Sequence, residues 1–511
     1  MSDELRAAWH ERLRQWRAAL AALGAVASSG AALGIGGSSL GSPWLLLGVP
    51  VALGGLVVLM LSPTLSFLAV ALVIPVERLG RFTGDSAMLT ISLMRLVGTV
   101  CLASYLLNAL LTRQRIHFGG ALAVYTLYFG IAITGVFHST HMLGTVRHIG
   151  AILGNLLFFF LAINLGRSQP LARRAVMVWL FATFAAGVYT IVTWHLGSGV
   201  SDEDLTGTSA RFATVLTDTS EWEALSSVAR ATGPTSHAAV YGMNLITAIP
   251  LLLYFFKHAG SRRGQAASLL GLAVTLYNVL LTNTRAVMLV AALVLLLCGL
   301  RGLYRITAGG IVGVVLAGAA MTPLVPDAVW ERVLDTSNYS VAKSATLRVR
   351  FDYWEAGLSI AAEHWLTGIG VGNQVEVPKR LNFVTAEETT VHNEFIFTLM
   401  EVGVFGWLLF FGFLTLVYLA AVRAQRLAAR WQAPDGVRPD FFVAIQISML
   451  ATLLFGVQVD VFHFPLKGWW LLAGLAWAQY SVMSAAARAH SEAQSPVAAS
   501  SYPLPLPTYA R

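Results

Sequence analysis

Residues 391–411 read VHNEFIFTLMEVGVFGWLLFF, an apolar run that is long enough to cross a membrane and yet begins with polar residues. A membrane-spanning helix needs about 20 predominantly apolar residues. His392 and Glu394 stand at the start of the run, and Glu401 follows seven residues after Glu394, on the same helix face. A carboxylate at the depth of Glu401 should pair with a cation or a hydrogen-bond donor, because an isolated charge in hydrocarbon is costly. The stretch therefore predicts a membrane span whose first turns carry a polar site.

The composition places the whole chain in the same class. Of its 511 residues 56% are hydrophobic and only 12% are charged, which is typical of a polytopic membrane protein. The net charge of +8 comes from arginines scattered between apolar runs, a pattern that indicates membrane topogenesis rather than nucleic-acid binding. The two cysteines, Cys101 and Cys298, lie inside apolar runs, which excludes a disulfide framework.

The apolar runs predict an all-α polytopic membrane protein with about 12–14 transmembrane helices, since every backbone polar group in the bilayer must be satisfied within its own segment. The runs around 42–79 are short and close together, so they predict a hairpin or a partly re-entrant element. The predicted spans are 18–37, 42–61, 64–79, 89–111, 119–137, 145–166, 173–197, 236–256, 266–283, 285–303, 306–325, 394–420, 441–462 and 467–488.

Basic residues in the short loops predict that both termini are cytoplasmic. Two long segments then lie on the outer side. The predicted organisation is a cytoplasmic lead (1–17), transmembrane helices 18–325 with an outer loop at 198–235, a large outer loop or cap (326–393), C-terminal transmembrane helices (394–488) and a disordered cytoplasmic tail (489–511).

The larger outer loop contains a helical pattern. In TLRVRFDYWEAGLSIAAEHWLTGIG (346–370), an apolar face is formed at helical spacing by Trp354, Leu358, Ala361 and Trp365. Gly368 ends the pattern. We therefore expect a partly helical extracytoplasmic cap over the membrane bundle.

Several arginines on the outer side run against the positive-inside bias. A single one is as readily explained as an interfacial anchor, but several together favour a site for phosphate or carboxylate, which Arg binds bidentately. His392 has the same two readings, because it is either an interfacial residue or a base that titrates near neutral pH. The outward arginines are Arg147, Arg230, Arg285, Arg348 and Arg350.

Three weaker motifs do not change this interpretation. HSTH (138–141) has an H-x-x-H spacing but lacks a third ligand, and SDED (201–204) lies in an acidic, turn-rich loop. GIGVGN (368–373) does not follow a strand, so it is not a dinucleotide-binding turn. We predict no metal site and no cofactor.

Four stretches of the chain resemble the O-antigen ligase and O-antigen polymerase superfamily of bacterial inner-membrane glycosyltransferases. The sequence departs from the family pattern at Val349, where a Gly often precedes the family's arginine, so Arg348 and Arg350 are both candidates for that arginine's role. The stretches are RATGPTSHAAVYGMNL (230–245), TNTRA (282–286), RFDYWEAGLSIAAEHWLTGIGVGN (350–373) and HNEFIFTLMEVGVFG (392–406).

The resemblance implies a GT-C-like fold and transfer of a glycan from an undecaprenyl pyrophosphate carrier to an acceptor hydroxyl at the periplasmic face of the inner membrane. It implies an inverting, metal-independent reaction with His392 as general base and Arg285 and Arg350 as the other catalytic residues. The substrate-binding residues would be Arg348, Arg147, Arg230, Glu394 and Asn393.

Within the superfamily, the single large outer loop near the C-terminal spans favours an O-antigen ligase, with the lipid A–core oligosaccharide as acceptor. The expected partners are the carrier-linked donor, this acceptor and membrane lipids, with no nucleic acid. Two relatives with other acceptors stay open: an O-antigen polymerase and a protein O-oligosaccharyltransferase. A lipid-glycan flippase or transporter is the alternative from a different functional class.

Overall fold

The structure of the chain is a computed structural model. It describes residues 54–76, 92–196, 230–235, 238–305, 339–381, 391–430, 437–459 and 467–493, with the backbone alone over 339–349. Regular structure in these ranges is helical, with no β-strand. The predicted all-α class is thus confirmed for this part of the chain.

The helices of these ranges follow one another along the chain with short connections, except where a gap in the described residues intervenes. They are α1 (Pro63–Val73), α2 (Leu93–Thr112), α3 (Gly120–Thr134), α4 (Met142–Leu165), α5 (Gln169–His195), α6 (Ala238–Lys257), α7 (Arg262–Leu281), α8 (Arg285–Leu300), α9 (Tyr339–Glu363), α10 (Glu376–Arg380), α11 (Glu394–Arg430), α12 (Pro439–Phe455) and α13 (Lys467–Ala493).

Within the described ranges, 7 helices are long and apolar enough to cross a membrane: α2, α3 with the 3-10 turn that follows it, α4, α5, α6, α7 and α11. Gly54–Leu61 and Pro63–Val76 pass the same test together but are bent by 117°, as in a broken span or a re-entrant loop. The hairpin or partly re-entrant element predicted around 42–79 stays a prediction. α8 and α12 are shorter apolar helices. The chain is therefore a multi-pass membrane protein.

Some predictions fall outside these ranges. The predicted spans 18–37 and 306–325 do so entirely, as do the lead 1–17 and most of the outer loop 198–235. At the C-terminus, α13 continues to Ala493, five residues past the predicted span end at 488.

Polar contacts define the two ends of the helix bundle. At one end, the Lys257 ammonium lies 2.7 Å from the Asp440 carboxylate and donates to the Gly302 carbonyl at 2.7 Å. These contacts join the last residue of α6, the chain just after α8 and the start of α12. A helix rises 1.5 Å per residue, so Arg285 at the start of α8 and Gly456 just after α12 both lie about 23 Å away, at the opposite end.

The start of α11 shares that opposite end. The backbone N–H of Glu394 donates to the carbonyl of Gly456 at 2.8 Å. We call the end that holds Lys257 and Asp440 the Asp440 end, and the opposite end the His392 end. Arg285, Gly456 and Glu394 therefore belong to the His392 end.

Gly403 reverses the direction of α11. Its φ of 63° and ψ of −174° are accessible in practice to glycine alone. The Phe395 ring stacks on the Phe411 ring, with 4.8 Å between centroids and 8° between planes, and the Trp407 indole N–H donates to the Phe395 carbonyl at 3.1 Å. In a straight helix, residues 395 and 411 would be about 24 Å apart. α11 thus consists of a short helix, 394–402, folded back against a long one, 404–430.

This reversal corrects the predicted single span 394–420. The membrane-crossing helix is 404–430, and the polar residues at 392–394 lie beside it instead of at its tip. The sequence predicted one continuous span because the short helix is as apolar as the long one.

A test of the reversal is Gly403→Ala. An added Cβ would lie 2.4 Å from the Leu366 carbonyl oxygen, and the φ is strained for any residue with a Cβ. We expect the free energy of unfolding to fall by about 1–3 kcal/mol, the usual cost of holding such a backbone conformation. Thermal unfolding of the purified protein in detergent measures the change.

Gly412→Ala is the matched control, because it lies in the same helix and an added Cβ meets no atom within 4 Å. We expect it to be neutral or slightly stabilising. Equal melting temperatures for the two variants would show that Gly403 is not required for the reversal.

Candidate functional site

His392 occupies the corner at which the chain enters α11. Its φ of 53° is uncommon for a residue with a side chain, and such positions often accompany function. The imidazole is half-buried, and its centroid is 6.3 Å from the Tyr353 ring of α9. Asn393 follows as the N-cap, since its side-chain oxygen accepts from the backbone N–H groups of Phe395 and Ile396 at 3.0 and 3.2 Å. The corner thus holds His392 between α9 and α11.

Arg350 lies on the face of α9 that is turned toward this corner. It precedes Tyr353 by three residues and Gly357 by seven, so the three share one stripe of the helix. A Cβ on Gly357 would lie 3.0 Å from Ile396 and 3.2 Å from Val391, on either side of His392. Arg350, a half-buried residue, therefore lies one helical turn from the tyrosine whose ring contacts His392.

The predicted helix in this loop is confirmed, but its packing face differs from the expected one. Leu358 and Trp365, two residues of the expected apolar face, are 49% and 59% exposed. The face that packs on the protein lies further round the helix and meets the short helix of α11. Its buried residues are Tyr353, Ala356, Ile360 and Ala361, in one cluster with Val391, Phe397 and Met400.

Glu394 lines a small cavity of about 20 Å³, enough for one water molecule. The side chain is only 1% exposed, and its carboxylate accepts a hydrogen bond from the Thr398 hydroxyl at 3.2 Å. Asn155 of α4 lines the same cavity and accepts a hydrogen bond from the ammonium group of Lys467. The rest of the wall includes Tyr125, Tyr128, His148 and Trp470.

The sequence interpretation missed Asn155, His148 and Lys467. Lys467 had a usable signal, because it is a cation at the start of an apolar run at the His392 end, as Arg285 is. His148 directly follows Arg147, which the sequence did single out. Asn155 had no signal, since it is an isolated polar residue in an apolar helix, and such residues more often satisfy a neighbour than bind a ligand.

Arg285 and Arg230 form a second group at the His392 end. Arg285 is the first residue of α8 and follows Asn283, whose φ is 44°. The backbone N–H of Ala231 donates to the Leu281 carbonyl at 2.9 Å, which ties the residue next to Arg230 to the turn before Arg285. Arg285 is half-buried and Arg230 is exposed. Backbone pairing thus ties the segment that carries Arg230 to the turn that precedes Arg285.

The two remaining arginines lie on helices that reach the corner or the cavity. Arg147 is half-buried in α4, next to the cavity residue His148. Arg348 belongs to α9, but its side chain lies outside the described part of the structure.

Glu401 has the hydrogen-bond donor that the sequence predicted for it. Its carboxylate accepts from the Gly372 N–H at 2.6 Å. The reversal at Gly403 removes helical partners from nearby carbonyl groups, and the Met400 and Glu401 carbonyls accept instead from Ile369 and Gly370, each at 2.9 Å. The glycine-rich loop 368–373 is therefore the partner of the broken helix.

Asn373 fixes the other side of this loop. It is fully buried, and its side-chain oxygen accepts from the Ser139 hydroxyl and the Thr140 N–H at 3.1 Å and from the His141 N–H at 2.8 Å. The HSTH motif is thus a docking loop for Asn373. Among the described residues, no group of three or more His, Cys, Asp or Glu could hold a metal ion; SDED (201–204) lies outside them.

Residues 242–411 match the family model described as "Wzy_C: O-Antigen ligase". The match covers a third of the chain, from α6 into α11, and contains Arg285, Arg348, Arg350, His392 and Glu401. Among curated proteins, no relative matches the chain. The predicted resemblance to the O-antigen ligase superfamily is thus confirmed over this segment, and it supports a multi-pass membrane enzyme with a function of the O-antigen ligase or polymerase type.

Asn373→Ala tests the docking of the loop. The substitution removes a fully buried amide whose oxygen accepts from the Thr140 and His141 N–H groups, and the loss of such a buried partner costs about 1–3 kcal/mol. We expect the free energy of unfolding to fall by about this amount, measured as a lower melting temperature in detergent.

Lys379→Ala in the adjacent α10 is the control. Its side chain is 60% exposed and pairs with Glu376, and such surface pairs contribute about 0–1 kcal/mol. If Asn373→Ala melted at the temperature of Lys379→Ala, the loop would not depend on the asparagine.

Proposed function

We propose that this protein is an O-antigen ligase that joins a glycan from undecaprenyl pyrophosphate to a sugar hydroxyl of lipid A–core. The O-antigen ligase match supports the class of reaction. The observation that carries the proposal is the corner at His392. This residue has a left-handed backbone conformation, its imidazole contacts Tyr353 on the helix of Arg350, and it precedes the cavity residue Glu394 by two positions.

The distribution of cations supports a periplasmic site in the bacterial inner membrane. Short loops at the Asp440 end are rich in Arg and Lys, as cytoplasmic loops are. The His392 end would then face the periplasm, with the lipid-borne donor reaching the site from the bilayer. The basic residues of the Asp440 end include Lys257, Arg262, Arg263, Arg301 and Arg438.

In the proposed reaction the acceptor hydroxyl oxygen attacks the anomeric carbon of the donor sugar. The bond between that carbon and the pyrophosphate oxygen breaks as the new glycosidic bond forms, which inverts the anomeric centre. His392 takes the hydroxyl proton, a task suited to a group that titrates near neutral pH. The carrier pyrophosphate leaves with the bonding electron pair.

Arginines then stabilise the negative charge that develops on the leaving pyrophosphate. Arg285 and Arg350 are proposed for this role, with Arg230, Arg147 or Arg348 as further contacts. A guanidinium group stays charged at any relevant pH and binds two phosphate oxygens at once. The groups at Arg285 and at Arg350 would hold the donor from two different helices.

His392→Asn tests the base. Asparagine tolerates a positive φ, so the backbone corner is kept while the titratable nitrogen is lost. We expect the transfer rate to fall by about 100-fold or more, the usual contribution of a general base. The measurement is in vitro transfer from a carrier-linked glycan to lipid A–core, with donor binding measured in parallel.

His364→Ala is the matched control, because His364 is an exposed histidine on the turn just after α9. It should transfer at the wild-type rate. Transfer by His392→Asn within threefold of that rate would exclude His392 as the base. Wild-type protein that elongates only a second carrier-linked repeat would be a polymerase, and protein that moves donor without any transfer would be a transporter.

Arg285→Lys tests the grip on the pyrophosphate. Lysine keeps the charge but loses the two-pronged geometry, so we expect an activity loss of about tenfold or more with normal expression. Arg263→Lys, exposed at the Asp440 end, should have no effect. Normal turnover of Arg285→Lys would indicate that charge attraction alone suffices at this position.

A further inference from the structure

The part of α9 whose side chains the structure describes, residues 350–363, carries an exposed apolar stripe. Phe351 and Leu358 of α9 and Trp365 in the turn after it are spaced by seven residues and are 59%, 49% and 59% exposed. Residues at this spacing share a helix face, and the helical path continues past Glu363, because the His364 N–H donates to the Ile360 carbonyl at 3.1 Å. Leu366 in the same turn is also exposed. The surface of a soluble protein rarely exposes apolar side chains in so regular a stripe.

The C-terminal end of this stripe lies within the depth of a membrane-crossing helix. The backbone N–H of Val404 donates to the Trp365 carbonyl at 2.8 Å. Two residues further along, a Cβ on Gly406 would touch Ile131 of α3 at 3.3 Å. From Ile131 to Phe137, which ends the α3 segment, the helix rises about 9 Å. Val404 is about 3 Å closer to that end than Gly406 is, so the Trp365 backbone lies about 6 Å inside the end of the segment.

The N-terminal half of α9 packs on the short helix of α11. Tyr353 of α9 lies in one cluster with Val391, Phe397 and Met400, and its ring contacts His392. The short helix in turn folds back until Phe395 stacks on Phe411 of the long helix. α9 is therefore attached to the side of the membrane-crossing helix through the short helix.

The apolar stripe is continuous with a surface that faces lipid. On the long helix of α11, Phe405 and Leu408 are 56% and 55% exposed, and Phe405 follows Val404, the residue bonded to Trp365. Exposed apolar side chains on a membrane-crossing helix contact acyl chains. The α9 stripe extends this surface sideways.

A polar face flanks the stripe on α9. It carries Asp352, Glu355, Ser359 and Glu363. The Arg380 guanidinium binds the Glu363 carboxylate at 2.6 Å, and this hydrogen bonding holds the pKa of Glu363 below its ordinary value. A charged pair of this kind belongs in water. α9 thus has a polar face for water beside an apolar face without a protein partner among the described residues, the pattern of an interfacial helix.

We propose that α9 is a membrane-interface helix whose Phe351–Leu358–Trp365 stripe contacts the acyl chains of the bilayer. Tryptophan at the rim suits this position, because its indole prefers the boundary between hydrocarbon and headgroups. The helix that carries Arg350 is then anchored to the lipid as well as to α11. The inference goes beyond glycan transfer and does not depend on it.

Nitroxide accessibility tests the proposal in the full-length protein reconstituted in phosphatidylcholine vesicles. The only two cysteines of the chain, Cys101 and Cys298, are 0% exposed, so an introduced cysteine can be spin-labelled selectively. Labels at Leu358→Cys and Trp365→Cys are compared with Leu408→Cys, on the lipid-facing surface, and with Lys379→Cys, on α10. Collision with oxygen reports lipid, and collision with a water-soluble nickel chelate reports water.

We expect Leu358→Cys and Trp365→Cys to collide more with oxygen than with the chelate, as Leu408→Cys does. Lys379→Cys should show the opposite preference. Chelate-dominated collisions at both stripe positions would overturn the proposal by placing the stripe in water. Weak collisions with both reagents would also overturn it, since they would show a protein surface, such as a second copy of the chain, in place of lipid. Unlabelled thermal unfolding checks that each variant is folded.

Discussion

The reversal of the chain at Gly403 is the constraint on which the site depends. A helix that continued straight would carry His392 and Glu394 away from the bundle, whereas the observed fold returns them to the side of the spanning helix at Phe411. The break also removes hydrogen-bond partners from backbone carbonyls at the turn. Those carbonyls must find other donors, because unpaired polar groups at membrane depth cost several kcal/mol, on the order of 2–7 each.

The glycine-rich loop supplies these donors and thereby orders the site. Its N–H groups bond the carbonyls of 400 and 401 and the Glu401 carboxylate. Gly368, Gly370 and Gly372 all have positive φ, and a Cβ on Gly368 would lie 2.3 Å from the Glu401 backbone, so the approach requires glycine. Asn373 then attaches the loop to the start of α4. Because the loop follows α9, this chain of contacts also sets where Arg350 faces.

The sequence predicted most helices well, since an apolar run of bilayer length has few alternatives to a helix. The predicted 119–137 and 236–256 differ by only one or two residues from the observed 120–137 and 238–257. The reversal at Gly403 could not be predicted, because EVGVFG has the composition of a continuing span and its turn depends on a loop 30 residues earlier. The sequence placed Trp365 on the packing face of the helix, but the residue is exposed. In a membrane protein apolar residues face lipid as well as the protein core, so periodicity alone does not distinguish a lipid-facing side chain from a core one.

The candidate site is divided between two structural units, and this division fits the proposed chemistry. Arg230 and Arg285 are held by the backbone pairing of Ala231 with Leu281, whereas His392 and Arg350 are held by α9 and the short helix of α11. A base must meet the acceptor hydroxyl, and cations must meet the leaving pyrophosphate on the far side of the anomeric carbon, since an inverting displacement is in line. Arg285 and Arg230, which are held by a different unit from His392, can occupy the side of the leaving pyrophosphate, while Arg350 contacts the donor from the side of the base.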